Sequence, residues 1–272
     1  MSNIQFKKTK LNLLIIGRRS FISNILYKFL KNRINLQKIS FEKFKICNKN
    51  FLKKFTHICN CAITRKYHNE IYSKKNDIDV KIATKIKNLG IKYIFLSSRK
   101  VYYPKDNTTE KSYLSPNCDY SKNKLISEKT IKKILPNNHL ILRVSNIIGK
   151  INKNSSNRKI SKTFIDNYYA FRKENKVFYE NFYKDFISEK QFGLIFIEIL
   201  KKNLSGVYNL SLGQKVFISE ILFALNKNKK DNKFMKLNPM SNDNFVLSNK
   251  KLKKKIKIKI TKRDLLKYCY NM

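Results

Sequence analysis

The feature that most constrains the fold of this chain is the alternation of short apolar runs with longer amphipathic stretches in its first half. The short runs are almost continuously apolar, as buried strands are, and the longer stretches repeat apolar residues at helical spacing. The expected strands are Leu11–Ile16, His57–Ala62, Tyr93–Leu96 and His139–Val144, and the expected helices are Phe21–Leu30, Ile78–Leu89 and Ser121–Leu135. Strands that alternate with helices form βαβ units, so we expect an α/β fold with a parallel sheet covered on both faces.

The second half of the chain lacks the regular alternation of apolar runs and amphipathic stretches, and it is expected to form a smaller unit. A polar stretch, Lys150–Lys162, predicts a boundary after Gly149. Beyond it we expect short helices and extended pieces, namely Lys176–Tyr179, Gln191–Lys202, Val207–Leu210 and Ile218–Leu225. This segment suits a cap on the carboxyl edge of the sheet. Lys and Ile alternate from Lys255 to Ile260, which favours a sheet edge guarded by lysines over a polyanion patch.

The net charge of +42, from 60 basic and 18 acidic residues, raises the question of nucleic-acid binding. Lys outnumbers Arg by 51 to 9, whereas Arg is the preferred residue for base edges and bidentate phosphate contacts. The chain is also rich in Asn, Ile, Phe and Tyr, whose codons are AT-rich. We therefore attribute the charge to compositional drift, and a nucleic-acid ligand remains the alternative.

The cysteines and the apolar runs bear on location. The five cysteines form no CxxC pair and no spacing typical of zinc ligands, so no metal site is expected. No run approaches the roughly 18 apolar residues that a membrane-spanning helix needs. We expect a cytoplasmic protein with reduced thiols and no membrane insertion.

Three separate motifs carry the chemistry. Gly17 follows the first strand and opens a turn into the first helix, with serine at the two positions where a phosphate-binding fingerprint has further glycines. A plain turn would also explain this segment. Tyr120 and Lys124 stand four residues apart at the start of a helix, where an ammonium favours ionisation of a nearby phenol. Ser98 ends a strand upstream, at the edge where such sheets bind ligands.

Together these motifs resemble the extended short-chain dehydrogenase/reductase family, also called the NAD-dependent epimerase/dehydratase family. The matching residues follow the family order: Gly17 with Phe21-Ile22, Asn60-Cys61-Ala62, Ser97-Ser98 with Val101-Tyr102, Pro116, Tyr120, Lys124, Glu128, Leu142-Arg143, Asn146, Gly149, Asp185-Phe186-Ile187, Gly206–Leu210 and Ser248–Leu252. The resemblance implies a Rossmann-type doubly wound parallel sheet in residues 1–149, which binds NAD(P), and a small α/β substrate cap in residues 150–272.

The resemblance also implies roles for individual residues. Tyr120 would be the general acid/base, Lys124 would assist it and hold the nicotinamide ribose, and Ser98 would bind the substrate oxygen that becomes a carbonyl. Asn146 and Lys184 would contact the substrate, Lys184 in place of an arginine that faces the diphosphate. The residues expected to bind the cofactor are Gly17, Arg18, Arg19, Ser20, Phe21, Ile22, Asn60, Ala62 and Lys124.

Departures from the family pattern refine these expectations. No acid that could hold a ribose 2′-hydroxyl follows the second strand, and Arg18 and Arg19 lie in the phosphate turn, so NADP is favoured over NAD. Arg99 and Lys100 replace the Asp-Glu pair of the 4,6-dehydratases, which leaves epimerase or reductase activity on a nucleotide sugar, with a homodimer as the candidate assembly. The alternatives are a non-catalytic dinucleotide binder and a nucleic-acid-associated protein on the same fold.

Overall fold

The computed structural model describes residues 11–149, 182–226 and 244–272. The strands in these ranges are β1 (Asn12–Ile16), β2 (Asn35–Ile39), β3 (His57–Asn60), β4 (Lys92–Ser98), β5 (His139–Val144), β6 (Asn146–Ile148), β7 (Tyr183–Lys184), β8 (Phe186–Ser188), β9 (Gly206–Leu210) and β10 (Val216–Phe217). A six-stranded sheet has the order β2-β1-β3-β4-β5-β9, and all of its pairings are parallel.

Helices cover both faces of this sheet. They are α1 (Phe21–Leu30), α2 (Phe41–Ile46), α3 (Lys49–Leu52), α4 (Arg65–Asn69), α5 (Ile78–Ile86), α6 (Asp119–Ile134), α7 (Glu189–Lys201), α8 (Ile218–Asn226), α9 (Lys250–Lys253) and α10 (Lys262–Tyr270). One apolar cluster packs α1 and α7 against the sheet, and a second packs α5 and α6 against the opposite face. The doubly wound parallel sheet of Rossmann type expected from the sequence is confirmed.

The order in which strands are added to the sheet reverses at β1. β2 lies on one side of β1, and β3 and the later strands lie on the other. In doubly wound sheets the loops leave such a switch point in opposite directions and open a crevice at the carboxyl ends of the strands. The loops after β1, β3, β4 and β5 therefore meet at one edge, which positions the site described below.

The later part of the chain contributes to this sheet and also forms short strand pairs outside it. β9 forms the sixth strand, and α7 packs on α1, where a Cβ added to Gly193 would lie only 2.5 Å from the Phe29 ring. The short pairs β6–β8 and β7–β10 lie outside the main sheet. The expected polar linker Lys150–Lys162 and the extended piece Lys176–Tyr179 lie outside the described residues, and the division at residue 149 remains a prediction.

The expectation of a strand at Lys255–Ile260 is wrong, because this segment is neither strand nor helix. Ile256 and Ile260 are nevertheless buried in the apolar cluster that includes α8 and α10, while the intervening lysines are exposed. An alternating pattern needs only an apolar surface to cover one side of an extended chain, and it does not require a neighbouring strand. Among the described helices, none is long and apolar enough to cross a membrane.

His57, at the start of β3, is expected to make the fold acid-sensitive. Burial lowers the pKa of His57 to about 4, and the neighbouring charge of Lys92 adds to this effect. The unfolded chain then binds a proton that the folded chain does not, so stability should fall as the pH drops from about 6.5 to about 4, by roughly 3 kcal/mol. Urea unfolding of the wild type and of His57→Gln across this range measures the effect; parallel pH profiles would contradict it.

Candidate active site

The carboxyl edge of the sheet opens into a cavity of about 390 Å³. Nine residues expected from the sequence line it: Ser20, Phe21, Ile22, Asn60, Ala62, Ser98, Tyr120, Lys124 and Asn146. A second pocket, of about 520 Å³, shares Ser20, Ala62 and Ile63 with this cavity and also contains Gly17, Arg18 and Arg19. The fold thus gathers residues from four loops, far apart in sequence, around one connected region.

The turn between β1 and α1 lies tightly against the turn that follows β3. Gly17 has a φ of +101°, and a Cβ at this position would lie 2.7 Å from the backbone nitrogen of Ala62. The Ser20 hydroxyl accepts a hydrogen bond from the Ser23 N–H at 3.1 Å and so caps α1, while Ser23 is itself fully buried. Ser20 thus keeps the N-terminus of α1 at the cavity, where a helix favours an anion such as a pyrophosphate.

Tyr120 and Lys124 occupy the first turns of α6. The Ser121 hydroxyl accepts a hydrogen bond from the backbone N–H of Cys118 at 3.2 Å, which fixes where the helix begins. The Nζ atom of Lys124 lies 5.9 Å from the centroid of the Tyr120 ring. The ring of His68, on α4, lies against the Tyr120 ring with the two centroids 4.8 Å apart. The phenol and the ammonium therefore reach the same cavity from one helix.

The two serines at the end of β4 have different partners. The Ser97 hydroxyl donates to Glu128 at 2.5 Å, and Glu128 forms a buried ion pair with Arg143 at 2.6 Å. The Ser98 hydroxyl oxygen accepts a hydrogen bond from the N–H of Lys100 at 3.2 Å, which leaves its proton for donation into the cavity that it lines. Of the two, Ser98 is the one whose hydroxyl suits a ligand.

The ammonium of Lys124 lies in a largely buried, aromatic environment. It is 4.5 Å from the centroid of the Phe95 ring and 3.7 Å from the Oδ2 atom of Asp79. Burial alone would lower the pKa of Lys124, but the carboxylate of Asp79, with smaller contributions from Tyr120 and other nearby groups, raises it above its ordinary value. A charged ammonium beside a phenol and a serine hydroxyl can support proton transfer to and from a ligand oxygen.

The remaining expected residues lie at the edges of the region. The Asn60 side chain holds its turn by accepting from the Ala62 N–H at 2.9 Å and donating to the Ala62 carbonyl at 3.0 Å. Asn146 lines the cavity and donates to the Asp185 carbonyl at 2.9 Å. Lys184 lies in β7 opposite Val216 and is not among the residues that line the cavity, so its contact with substrate remains a prediction.

The second pocket is strongly cationic. Besides Arg18 and Arg19, it is lined by Lys38 at the end of β2 and by Lys43 in α2. Burial, with a further contribution from the charge of Arg18, lowers the pKa of Lys38. Among the described residues that line this pocket there is no carboxylate.

Sequence reasoning missed Asp79, His68, Lys38 and Lys43. A signal for Asp79 was present, because it shares a buried helical stripe with Ile82 and Ile86, at spacings of three and seven residues. An acidic side chain on an apolar stripe predicts a buried charge that needs a partner. The other three lie on α4, β2 and α2 and reach the site only when these elements pack together, which no local spacing reveals.

Comparisons with known proteins bear on the family and the fold. The model of the NAD dependent epimerase/dehydratase family matches residues 13–208. A UDP-N-acetylglucosamine 4-epimerase from Methanobrevibacter ruminantium is 19% identical over 97% of both chains, with a TM-score of 0.77. A dTDP-glucose 4,6-dehydratase from Bacillus anthracis is 16% identical over 96% of both, with a TM-score of 0.72.

A dTDP-4-dehydrorhamnose reductase from Clostridium acetobutylicum is 17% identical over 96% of this chain and 98% of that one, with a TM-score of 0.74. At these identities the likeness establishes the fold alone. A comparison with curated protein sequences gives no match. The family model covers most of the chain, and the chain belongs to the NAD dependent epimerase/dehydratase family.

Proposed function

We propose that this protein is an NADP-dependent epimerase or 4-keto-sugar reductase that acts on a nucleotide-activated sugar. The observation that carries the proposal is the single cavity that Ser98, Tyr120 and Lys124 line together with the turn after β3. The close approach at Gly17 and the helix N-terminus beside it fit a dinucleotide pyrophosphate. When bound, the dinucleotide supplies hydride chemistry at the nicotinamide.

In the proposed mechanism, the protein handles the proton while it orients the sugar. The Tyr120 hydroxyl would give its proton to the sugar oxygen when a carbonyl becomes a hydroxyl, and the Tyr120 phenolate would take that proton back in the reverse direction. Ser98 donates a hydrogen bond to that oxygen, and the Lys124 ammonium stabilises the phenolate. Gly17, Arg18, Arg19 and the first residues of α1 would bind the phosphates, with Asn60 and Ala62 forming the opposite wall.

Elimination of water is disfavoured by the side chains that follow Ser98. A dehydratase needs an acid and a base near the leaving hydroxyl, and here the next two residues are Arg99 and Lys100. The Arg99 guanidinium is buried and lies 4.4 Å from the centroid of the Phe245 ring. No carboxylate lines the cavity among the described residues.

A panel of UDP-, GDP- and dTDP-sugars, each with NADP(H) or NAD(H), tests the activity. A reductase consumes NADPH in proportion to product, whereas an epimerase interconverts two sugars with no net consumption, and NMR distinguishes the products. A product that has lost water would overturn the choice against dehydration. Dinucleotide binding with no turnover on the panel would favour the non-catalytic alternative. The cytoplasmic location, the homodimer and the absence of a nucleic-acid ligand remain predictions.

NADPH is expected to bind at least about tenfold more tightly than NADH, because the described residues that line the second pocket include four cations and no acid. Lys43→Gln should weaken NADPH binding roughly three- to tenfold and leave NADH binding unchanged. Lys45→Gln is the matched control, since Lys45 lies on the same helix and is paired with Glu42 outside the pocket. Calorimetric titration measures all of these affinities; equal affinities for the two dinucleotides would contradict the preference.

A further inference from the structure

The buried carboxylate of Asp79 lies beside the ammonium of Lys124. Asp79, in the first turn of α5, is 4% exposed, and its Oδ2 atom is 3.7 Å from the Nζ atom of Lys124. Its other oxygen, Oδ1, accepts hydrogen bonds from the Tyr93 hydroxyl at 2.5 Å and from the Asn60 amide at 2.8 Å. Charged groups are rarely buried so completely unless they are paired, so this arrangement calls for a role.

The surroundings of Asp79 fit its ionised form. Burial, with a contribution from Asp77, raises the pKa of Asp79 above its ordinary value, and the Lys124 charge and the two hydrogen bonds oppose this effect. A protonated carboxyl would need an acceptor for its proton, yet Oδ2 faces an ammonium that carries donors only. The pair is therefore an ammonium and a carboxylate that compensate each other's loss of hydration.

Asp79 is also linked, through Asn60, to the turn after β3 that lines both pockets. The Asn60 side chain donates to Asp79 and forms its other two hydrogen bonds with Ala62, in the turn that lies against Gly17. We propose that Asp79 is a positioning residue that keeps the ammonium of Lys124 charged and fixed relative to the dinucleotide-binding turn. This inference rests on the proposed function, since it assumes that Lys124 holds the nicotinamide ribose.

Removal of the Asp79 charge should change how Lys124 titrates. Without a carboxylate beside it, a buried ammonium loses its proton at lower pH. The other titratable groups that face the pair are Asp77, Glu128, Tyr67, Tyr93, Tyr120 and Cys59. A pH dependence that belongs to Lys124 is recognised because it disappears when Lys124 is replaced, whichever of the other groups titrates.

A double-mutant cycle on NADPH affinity tests the proposal. In Asp79→Asn, the amide oxygen still accepts from Tyr93 and Asn60, but the charge is lost. We expect roughly tenfold weaker NADPH binding at neutral pH, with the alkaline loss of affinity beginning at lower pH than in the wild type. In a Lys124→Met background, Asp79→Asn should change the affinity by less than about twofold. Glu198→Gln is the control, because Glu198 pairs with Lys201 on α7 and lines neither pocket.

Equal effects of Asp79→Asn with and without Lys124, or an unchanged alkaline limb, would overturn the positioning role and leave Asp79 a structural residue. If the wild type binds neither NADPH nor NADH, the proposed function fails. The same cycle is then measured by urea unfolding without ligand. Additive shifts of the midpoint in that experiment would overturn the ion pair itself, whereas a clear coupling would support it.

Discussion

Tyr120→Phe is expected to lower turnover by roughly 10²–10⁴-fold while the fold stays intact. The substitution removes the phenolic proton that the proposed mechanism transfers and keeps the ring. The ring packs against His68, with centroids 4.8 Å apart, and this contact does not need the hydroxyl. Steady-state turnover on whichever nucleotide sugar the panel identifies measures the loss, and circular dichroism with urea unfolding checks the fold.

Three comparisons make this result specific. Tyr113→Phe is the matched control, because Tyr113 is 76% exposed and is not among the residues that line the cavity. Ser98→Ala should reduce turnover with little change in NADPH affinity, since its expected partner is the sugar. Lys124→Met should reduce both. Full turnover by an active preparation of Tyr120→Phe would contradict the proposed mechanism.

Much of the fold could be predicted because its signals are local. The apolar periodicity of Phe21–Leu30 and of His139–Val144 gives the observed bounds of α1 and β5. Parallel strands buried on both faces have no exposed face to break their apolar runs, so they stand out in the sequence. An alternation of buried and exposed residues occurs in extended loops as well as in strands. In Lys255–Ile260 this alternation therefore gave a wrong strand assignment.

The site could be predicted in part because its main residues stand at the ends of strands or at the start of a helix. Ser98, Tyr120 and Lys124 converge as expected, since the carboxyl ends of parallel strands share one edge. The counter-ion of Lys124 could not be placed from local spacing, because Asp79 meets it only when α5 packs beside α6. Sequence also could not show that Ser97 is bonded to the buried Glu128 while the Ser98 hydroxyl lines the cavity.

Gly17→Ala is expected to cost the protein about 3 kcal/mol or more of stability and to abolish dinucleotide binding at accessible concentrations. The φ of +101° strains any side chain, and the added Cβ would lie 2.7 Å from the Ala62 nitrogen and 2.9 Å from the Cys61 carbonyl carbon. These are backbone atoms of the opposite wall, so the clash cannot be relieved by a change of rotamer. One of the two turns must move, and the space for the pyrophosphate changes with it.

Gly90→Ala separates the cost of the positive φ from the cost of the clash between the added Cβ and the neighbouring backbone. Gly90 also has a positive φ, of +71°, but a Cβ there would have no atom of the described ranges within 4 Å. It should therefore show only the cost of the backbone conformation, about 1–2 kcal/mol, with unchanged affinity for NADPH. Urea unfolding and calorimetric titration of the two variants measure the difference. If both variants lose the same stability and bind NADPH like the wild type, the contact between the two turns does not shape the site, and the cofactor role of Gly17 fails with it.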